Sequence, residues 1–288
     1  MMNKIAVALL ISLGLPAMAA DFDVMSFNIR NSKDSVAGSE YDGNNTWDNR
    51  KAIVVDIIAQ TDIAGLQEAF SDQIGYLARQ LPEYSWVGVG RDDGNAEGEA
   101  VPIFYRNDKY VKLGGGTFWL SETPQVVASV GWDADLTRIT TWVRLEEIAT
   151  GKRVLVFNAH FDHIGQTARQ KSAILLSKKA DEITGGAGDA VIVLGDLNFE
   201  RSDTASYKAL TDLYQDAREI TKQPFTGVNG NKDQVFTYQG YGKEKPEDID
   251  YIFVNDKLAV NTFEYRNVIK DGIYASDHLS VISNISFQ

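Results

Sequence analysis

Cysteine is absent from this 288-residue chain, and only three histidines occur, at 160, 163 and 278. Disulfides, a thiolate nucleophile and a soft metal site are therefore excluded. A hydrophobic content of 44% in a chain of this length builds a sizeable core without cross-links. Basic residues are scarce too: 28 Lys and Arg stand against 40 Asp and Glu, for a formal net charge of -12, and there is no basic run. Such a field repels polyanions at long range and counts against tight, sequence-blind binding of nucleic acid. A local cluster of Arg and Lys, or bound divalent cations, can still reverse the potential inside a cleft. Repeats of fixed short period, low-complexity tracts and interior linkers are missing, so one domain is expected over 21–288.

No run long enough to span a bilayer occurs after residue 20. In front of it lie Lys4, an apolar stretch from Ile5 to Leu15, Pro16 and Ala17-Met18-Ala19-Ala20. That pattern predicts a secretory signal over 1–20, cleaved after Ala19 or Ala20. Its loss removes Lys4 and no acid, leaving the mature chain one unit more negative. The expectation is an exported protein, periplasmic or secreted, with no stable membrane anchor and monomeric.

Among what is present, Ala190-Val191-Ile192-Val193-Leu194 reads as a strand buried on both faces. It stops at Gly195, and Asp196 and Asn198 follow where backbone turns project polar groups into a crevice. Taken alone this reads first as an ordinary polar turn. Elsewhere, strands are predicted over 22–28, 63–68, 101–106, 138–145, 152–158 and 250–254, and after His278. Helices are predicted over 47–60, 72–80 and 166–184, the last stopped by Gly185-Gly186. Gly114-Gly115-Gly116 and Glu122-Thr123-Pro124 read as turns. Continuous and alternating strands among helices predict an α/β fold of two stacked mixed sheets covered by helices.

Polar residues recur at the strand ends: Asn28, Glu68, Asn158 with His160, Asp196 with Asn198, and Asp277 with His278. Ends on one edge of a sheet converge, and here they would gather carboxylates, amides and two imidazoles. Carboxylate and amide oxygens are hard ligands suited to Mg2+ or Mn2+. A hard cation beside a His-Asp pair equips a site for phosphoester hydrolysis.

Ser26-Phe27-Asn28-Ile29, Leu66-Gln67-Glu68, Asn158-Ala159-His160, Gly195-Asp196-Leu197-Asn198, Asp248-Ile249-Asp250-Tyr251-Ile252 and Ser276-Asp277-His278 resemble, in order, the motifs of the endonuclease/exonuclease/phosphatase superfamily. Each is weak alone, and six in sequence are specific. The resemblance covers essentially the whole mature chain and implies a four-layer α/β sandwich. It also implies Glu68 as the principal metal ligand with Asn28 beside it and Asp277 completing the metal or water site. By the same resemblance His278, oriented by Asp250, contacts the scissile phosphate, Asp196 positions or deprotonates the attacking water, Asn198 steadies phosphoryl oxygens, and His160 binds phosphate or protonates the leaving group. Arg30 stands where some members carry a second metal-binding Asp, which favours one dominant metal; it is either a phosphate contact or a surface salt bridge. Arg138 resembles an arginine that faces phosphate, and Tyr105 matches either a tyrosine near the leaving group or a core position.

His160-Phe161-Asp162-His163 also invites a di-zinc reading, but three histidines cannot fill such a site. A binding module without chemistry would have lost several of the polar positions retained here. The expected activity is thus metal-dependent cleavage of a phosphoester, in the first instance a nuclease-like phosphodiester such as a short oligonucleotide or a nucleotide. A phosphomonoester, or a lipid or sugar phosphate, is the alternative.

Overall fold

The computed structural model describes residues 21–34, 37–186 and 188–288; the predicted signal over 1–20 lies outside them. Chain order runs β1 (Phe22–Asn28), α1 (Trp47–Ile58), β2 (Ile63–Gln67), α2 (Ser71–Gln80), β3 (Tyr84–Val87), β4 (Ile103–Arg106), β5 (Tyr110–Trp119), β6 (Ile139–Glu147) and β7 (Arg153–His160). It continues with α3 (Gln166–Thr184), β8 (Ala190–Asp196), α4 (Thr204–Thr211), β9 (Gln215–Asp216), α5 (Ala217–Ile220), β10 (Asp250–Val254), β11 (Leu258–Arg266), β12 (Ile269–Lys270), β13 (Ile273–Tyr274) and β14 (Ser280–Phe287).

Two six-stranded mixed sheets result, in the orders β11-β14-β1-β2-β4-β3 and β5-β6-β7-β8-β10-β9. Each is built around one parallel pair, β1 with β2 and β7 with β8, flanked by antiparallel neighbours. A helix, α1 or α3, makes each crossover, as parallel neighbours require. Side chains of these inner strands alternate between two apolar layers. Ile192 and Leu194 join Val24, Ile63, Val156 and Val281 between the sheets, whereas Val191 and Val193 pack with Ala173, Leu176 and Ala180 of α3. On the outer face of the first sheet, Met25, Phe27 and Leu66 meet Ile53, Val54 and Ile57 of α1. The continuous apolar run at 190–194 is therefore apolar because both of its faces are covered. The four-layer sandwich is as expected.

Two expectations are corrected. Gly114-Gly115-Gly116 is not a turn but the middle of β5, an edge strand on which Trp142 of the neighbouring β6 lies, its indole nitrogen 3.1 Å from where a Cβ of Gly116 would sit. The glycines make room for a ring. A nine-residue strand, β11, was not anticipated; it pairs with β14 and bears Asn, Glu and Arg among its apolar residues, which blurs the period-two pattern. Among the described residues no helix is long and apolar enough to cross a membrane.

Candidate active site

In β1, β2, β7 and β8 the chain runs toward one common edge, and the antiparallel β10 and β14 start there, Asp250 lying opposite Asp196 and Ser26 opposite Val281. Strand ends from both sheets thus deliver Asn28, Glu68, His160, Asp196, Asp250 and His278 to one place. Around them opens a cavity of about 510 Å³. Arg30, Glu68, Arg138, His160, Asp196, Asn198, Asp277 and His278 line it. Asn28 and Asp250, fully buried, hold the lining groups from behind.

Asp196 sits at the centre. One of its oxygens, Oδ2, accepts from Asn28 Nδ2 at 2.9 Å and lies 3.6 Å from His160 Nε2 and 3.7 Å from His278 Nε2. The other oxygen accepts from the backbone N–H of Asn198 at 3.1 Å, and Asn198 Nδ2 donates to the Phe161 carbonyl at 3.0 Å. Glycine precedes Asp196 for a steric reason: at Gly195, with φ of 150°, a Cβ would fall 2.0 Å from the Ala159 carbonyl oxygen. Asn198 and Glu68 both adopt left-handed backbone, with φ of 51° and 61°. Residues other than glycine pay about 1–2 kcal/mol for that region, so the surrounding hydrogen bonds must enforce it.

Glu68 is pinned by amides: Asn28 Nδ2 donates to its Oε1 at 3.0 Å and the Asn31 N–H to its Oε2 at 3.1 Å. Burial opposes its charge, but Arg30 and the Asn28 amide outweigh burial and hold its carboxyl below the usual range. Arg30 is no surface salt bridge. Its guanidinium stands inside the cavity wall, 3.8 Å from Glu68 and 3.9 Å from Asp277, while Tyr41 Oη donates to Asp277 at 2.7 Å.

The imidazoles of His160 and His278 are driven apart. For His278 burial disfavours the charge, yet Asp250, bonded to Nδ1 at 2.9 Å, and Asp196 prevail and push the imidazole up to about 10. For His160 burial and the nearby Arg138 and Arg91 press the pKa well below the ordinary value. At neutral pH His278 is a cation and His160 is neutral. Burial first, then the charge of Asp250, raises Asp196 to about 7. One group poised to take a proton thus stands beside one that holds a proton firmly.

Six carboxylates line the cavity against two arginines, so an entering phosphate meets a negative wall unless a cation intervenes. Glu68 and Asp277, which both approach Arg30, supply hard carboxylate oxygens, and Asn28 Oδ1, which accepts from the Arg30 N–H at 3.0 Å, has a further lone pair; oxygen donors of this kind fit Mg2+ or Mn2+. The tightest grouping of Asp, Glu and His among the described residues is Asp196, Asp250 and His278, whose ligand atoms lie within 4.8 Å of one another. There the imidazole and Asp250 are already bonded to each other, which suits proton handling better than ligation.

Tyr105 is the one candidate that the structure takes elsewhere. It is buried in the layer between the sheets, paired with Ile63 at the start of β2, whereas Glu68 follows the end of that strand. Arg138 is buried at the cavity, its Nη2 3.0 Å from His163 Nδ1, and it lies 3.6 Å from Asp162. Asn31, Tyr41, Glu99, Tyr238 and Glu247 also line the cavity and were missed, since they come from loops that carry no periodic signal.

The endonuclease/exonuclease/phosphatase family model matches residues 25–278. The chain belongs to the endonuclease/exonuclease/phosphatase family. Members of this family are metal-dependent phosphoester hydrolases, and this protein is an enzyme of that class. A family protein from Bacteroides vulgatus is 36% identical, with a TM-score of 0.84 over 93% of this chain and 100% of that one. A mannosyl-6-phosphatase from Bacteroides thetaiotaomicron is 32% identical, with a TM-score of 0.80 over 92% of this chain and 100% of that one. The human nocturnin catalytic domain, with bound sulfate, is 19% identical at a TM-score of 0.67 over 93% of this chain and 95% of that one, and shares the fold. A search of curated proteins found no match.

Proposed function

We propose that this family member removes phosphate from a hydroxyl-rich phosphomonoester, a sugar phosphate, using Mg2+ or Mn2+ held by Glu68, Asn28 and Asp277. The composition of the cavity carries the reading. Its buried floor, with His160, His278 and Arg138, suits one phosphoryl group, while Glu99 stands on the wall and the more exposed rim includes Asp34 and Glu247. Rim carboxylates accept hydrogen bonds from sugar hydroxyls and repel the further phosphates of a polynucleotide. The phosphatase from Bacteroides thetaiotaomicron supports the same substrate class. The nuclease-like phosphodiester favoured by sequence fits that rim less well.

In this reading Asp196 draws a proton from the attacking water, a task suited to a carboxyl near 7. The His278 cation, braced by Asp250, binds phosphoryl oxygens, and Asn198 offers them its second amide N–H. Neutral His160 donates a hydrogen bond and Arg138 adds positive charge. A divalent cation, when bound, neutralises phosphoryl charge. The ester oxygen departs toward the solvated rim, where water protonates it.

The test is phosphate release from mannose 6-phosphate, compared with cleavage of bis-p-nitrophenyl phosphate and a short oligonucleotide, with Mg2+ and with chelator. Cleavage of diesters without release from any monoester would overturn the reading. We also propose export of the mature chain on the strength of residues 1–20. Mass spectrometry of the exported fraction should find a chain beginning at Ala20 or Asp21, and a retained Met1 would refute it.

A further inference from the structure

Beside Glu68 the chain forms a hook. Ala100 pairs with Gly90 on one side and with Ala69, the residue after Glu68, on the other. The Ala100 N–H donates to the Ala69 carbonyl at 2.8 Å, and the Ala69 N–H returns a bond of 3.2 Å. Glu99 is thereby carried to the cavity wall, where it shares a small crevice with Arg138 and His160. Arg91 fixes it there: Nη1 donates to Glu99 Oε2 at 2.6 Å and the Arg91 N–H to the Glu99 carbonyl at 3.0 Å. The Arg91 carbonyl in turn accepts from Trp119 Nε1 at 2.8 Å, which ties the hook to the second sheet. Both side chains are largely buried, at 13% and 14% exposure.

A carboxylate so fastened is an odd neighbour for a phosphate. Only one of its oxygens is engaged by Arg91, and the other accepts no hydrogen bond among the described residues. An oxygen held still at a cavity wall, with its orientation already determined, accepts a ligand hydroxyl at little further entropic cost. Burial and the charge of Glu68 raise this carboxyl to about 7 against the pull of Arg91; above that pH its charge, partly withdrawn from water, repels a second anionic group more strongly than a solvated carboxylate would.

We propose that Glu99, held by Arg91, is the specificity-determining residue for the leaving group: it accepts a hydrogen bond from a substrate hydroxyl and rejects a second phosphate. This rests on the phosphomonoesterase reading. The enzyme is then selective for monophosphates of polyols over bisphosphates and over esters of alcohols without hydroxyls.

The experiment measures kcat/KM of the purified protein with Mg2+ for fructose 6-phosphate, fructose 1,6-bisphosphate and p-nitrophenyl phosphate, in wild type, Glu99→Gln and Glu99→Ala. Wild type should prefer the monophosphate. Glu99→Gln keeps an acceptor and loses the charge, so it should narrow the preference over the bisphosphate by about tenfold. Glu99→Ala loses the acceptor as well, and should lower the ratio of fructose 6-phosphate to p-nitrophenyl phosphate turnover by about tenfold or more. Arg91→Ala, which frees Glu99 without removing it, should lower the ratio of fructose 6-phosphate to p-nitrophenyl phosphate turnover, because the acceptor is no longer held in place. If Glu99→Ala fails to fold, the near-isosteric Glu99→Gln still decides. Ratios unchanged from wild type, or a wild type indifferent to the second phosphate, would overturn the assignment while leaving the phosphomonoesterase reading intact. Cleavage of diesters with no release from any monoester would overturn both.

Discussion

The Gln67 side-chain amide donates to Asn158 Oδ1 at 2.7 Å across the gap between the two sheets. Asn158 Nδ2 reaches back to the carbonyls of Leu66 at 2.8 Å and Pro102 at 3.0 Å, so the bridge is bonded from both directions. Both side chains are fully buried. Gln67 precedes Glu68, and Asn158 lies two residues before His160, so this bridge sets how far apart the two sheets hold their catalytic ends. A close approach makes it possible, because a Cβ on Gly65 would lie 2.9 Å from Asn158 Cγ and 2.1 Å from Leu194 Cδ1.

Asn158→Leu should therefore do more than open a hole. It removes three buried hydrogen bonds, leaving the Gln67 amide only its longer contacts of 3.3 Å, to Ser26 and to the Gly65 carbonyl, and the Pro102 carbonyl only the Leu66 N–H, at about 0.5–1.5 kcal/mol for each bond lost. The expected result is a clear drop in Tm with a fall in kcat larger than any rise in KM. Thermal denaturation and steady-state kinetics check this, and an unchanged Tm would show that the bridge carries no weight.

Asp250→Asn tests the origin of the His278 charge. In the folded protein the imidazole is held up to about 10. A folded-state pKa above the ordinary value near 6.5 stabilises the fold fully below that value, and the contribution fades as pH rises toward 10. Removing the Asp250 charge should move the titration down toward the ordinary range and flatten the loss of stability on the alkaline side. Imidazole NMR on metal-free protein reads the titration and denaturant unfolding across pH reads the stability; a wild-type His278 that titrates near 6.5 would contradict the account.

Metal ligation and proton transfer should separate by mutation. Glu68→Gln is expected to weaken Mn2+ binding by at least tenfold and activity with it. Asp196→Asn should cut kcat by about 10²–10⁴, the usual loss for a positioned base, with metal affinity within a few-fold of wild type. Calorimetric titration with Mn2+ beside turnover assays distinguishes them. Loss of Mn2+ binding in Asp196→Asn would mean that this carboxylate is a ligand.

Gly195→Ala should destabilise the enzyme by about 1–3 kcal/mol, because the added carbon collides with the Ala159 carbonyl oxygen in the adjoining strand. Denaturant titration gives the size of the effect, and full retention of stability would refute the steric argument.

How much of this was legible in the sequence follows from what sequence patterns record. The strand at 190–194 and its polar turn were visible because burial on both faces leaves an unbroken apolar run. Asn28, Glu68, Asp196 and Asp250 were visible because each interrupts an apolar pattern at a strand end. Nothing comparable flags Tyr41 or Glu99: Tyr41 meets Asp277 across 236 residues of chain, and Glu99 is placed by a hook closed by Arg91. Tyr105 shows the opposite failure: a residue type suited to the chemistry sits on a strand of the right sheet, at the wrong end of it. The triple glycine at 114–116 misled for a related reason, since glycine marks a turn or makes space for a neighbour, and Trp142 is invisible from that stretch alone.

The second sheet is one continuous piece of chain, from β5 to β10, entered through residues 107–109 and left through 255–257. Both crossings lie at the edge opposite the catalytic one, because β4 and β10 run away from it. The covalent connections between the sheets thus lie at the heel, and at the catalytic edge the halves are laced by hydrogen bonds alone: Gln67 to Asn158, Asn28 to Asp196, and the backbone of 237–239 to Asp277 and Leu279. A ligand bonded to groups from both sheets adds to that lacing, so binding should stiffen the catalytic edge more than the heel.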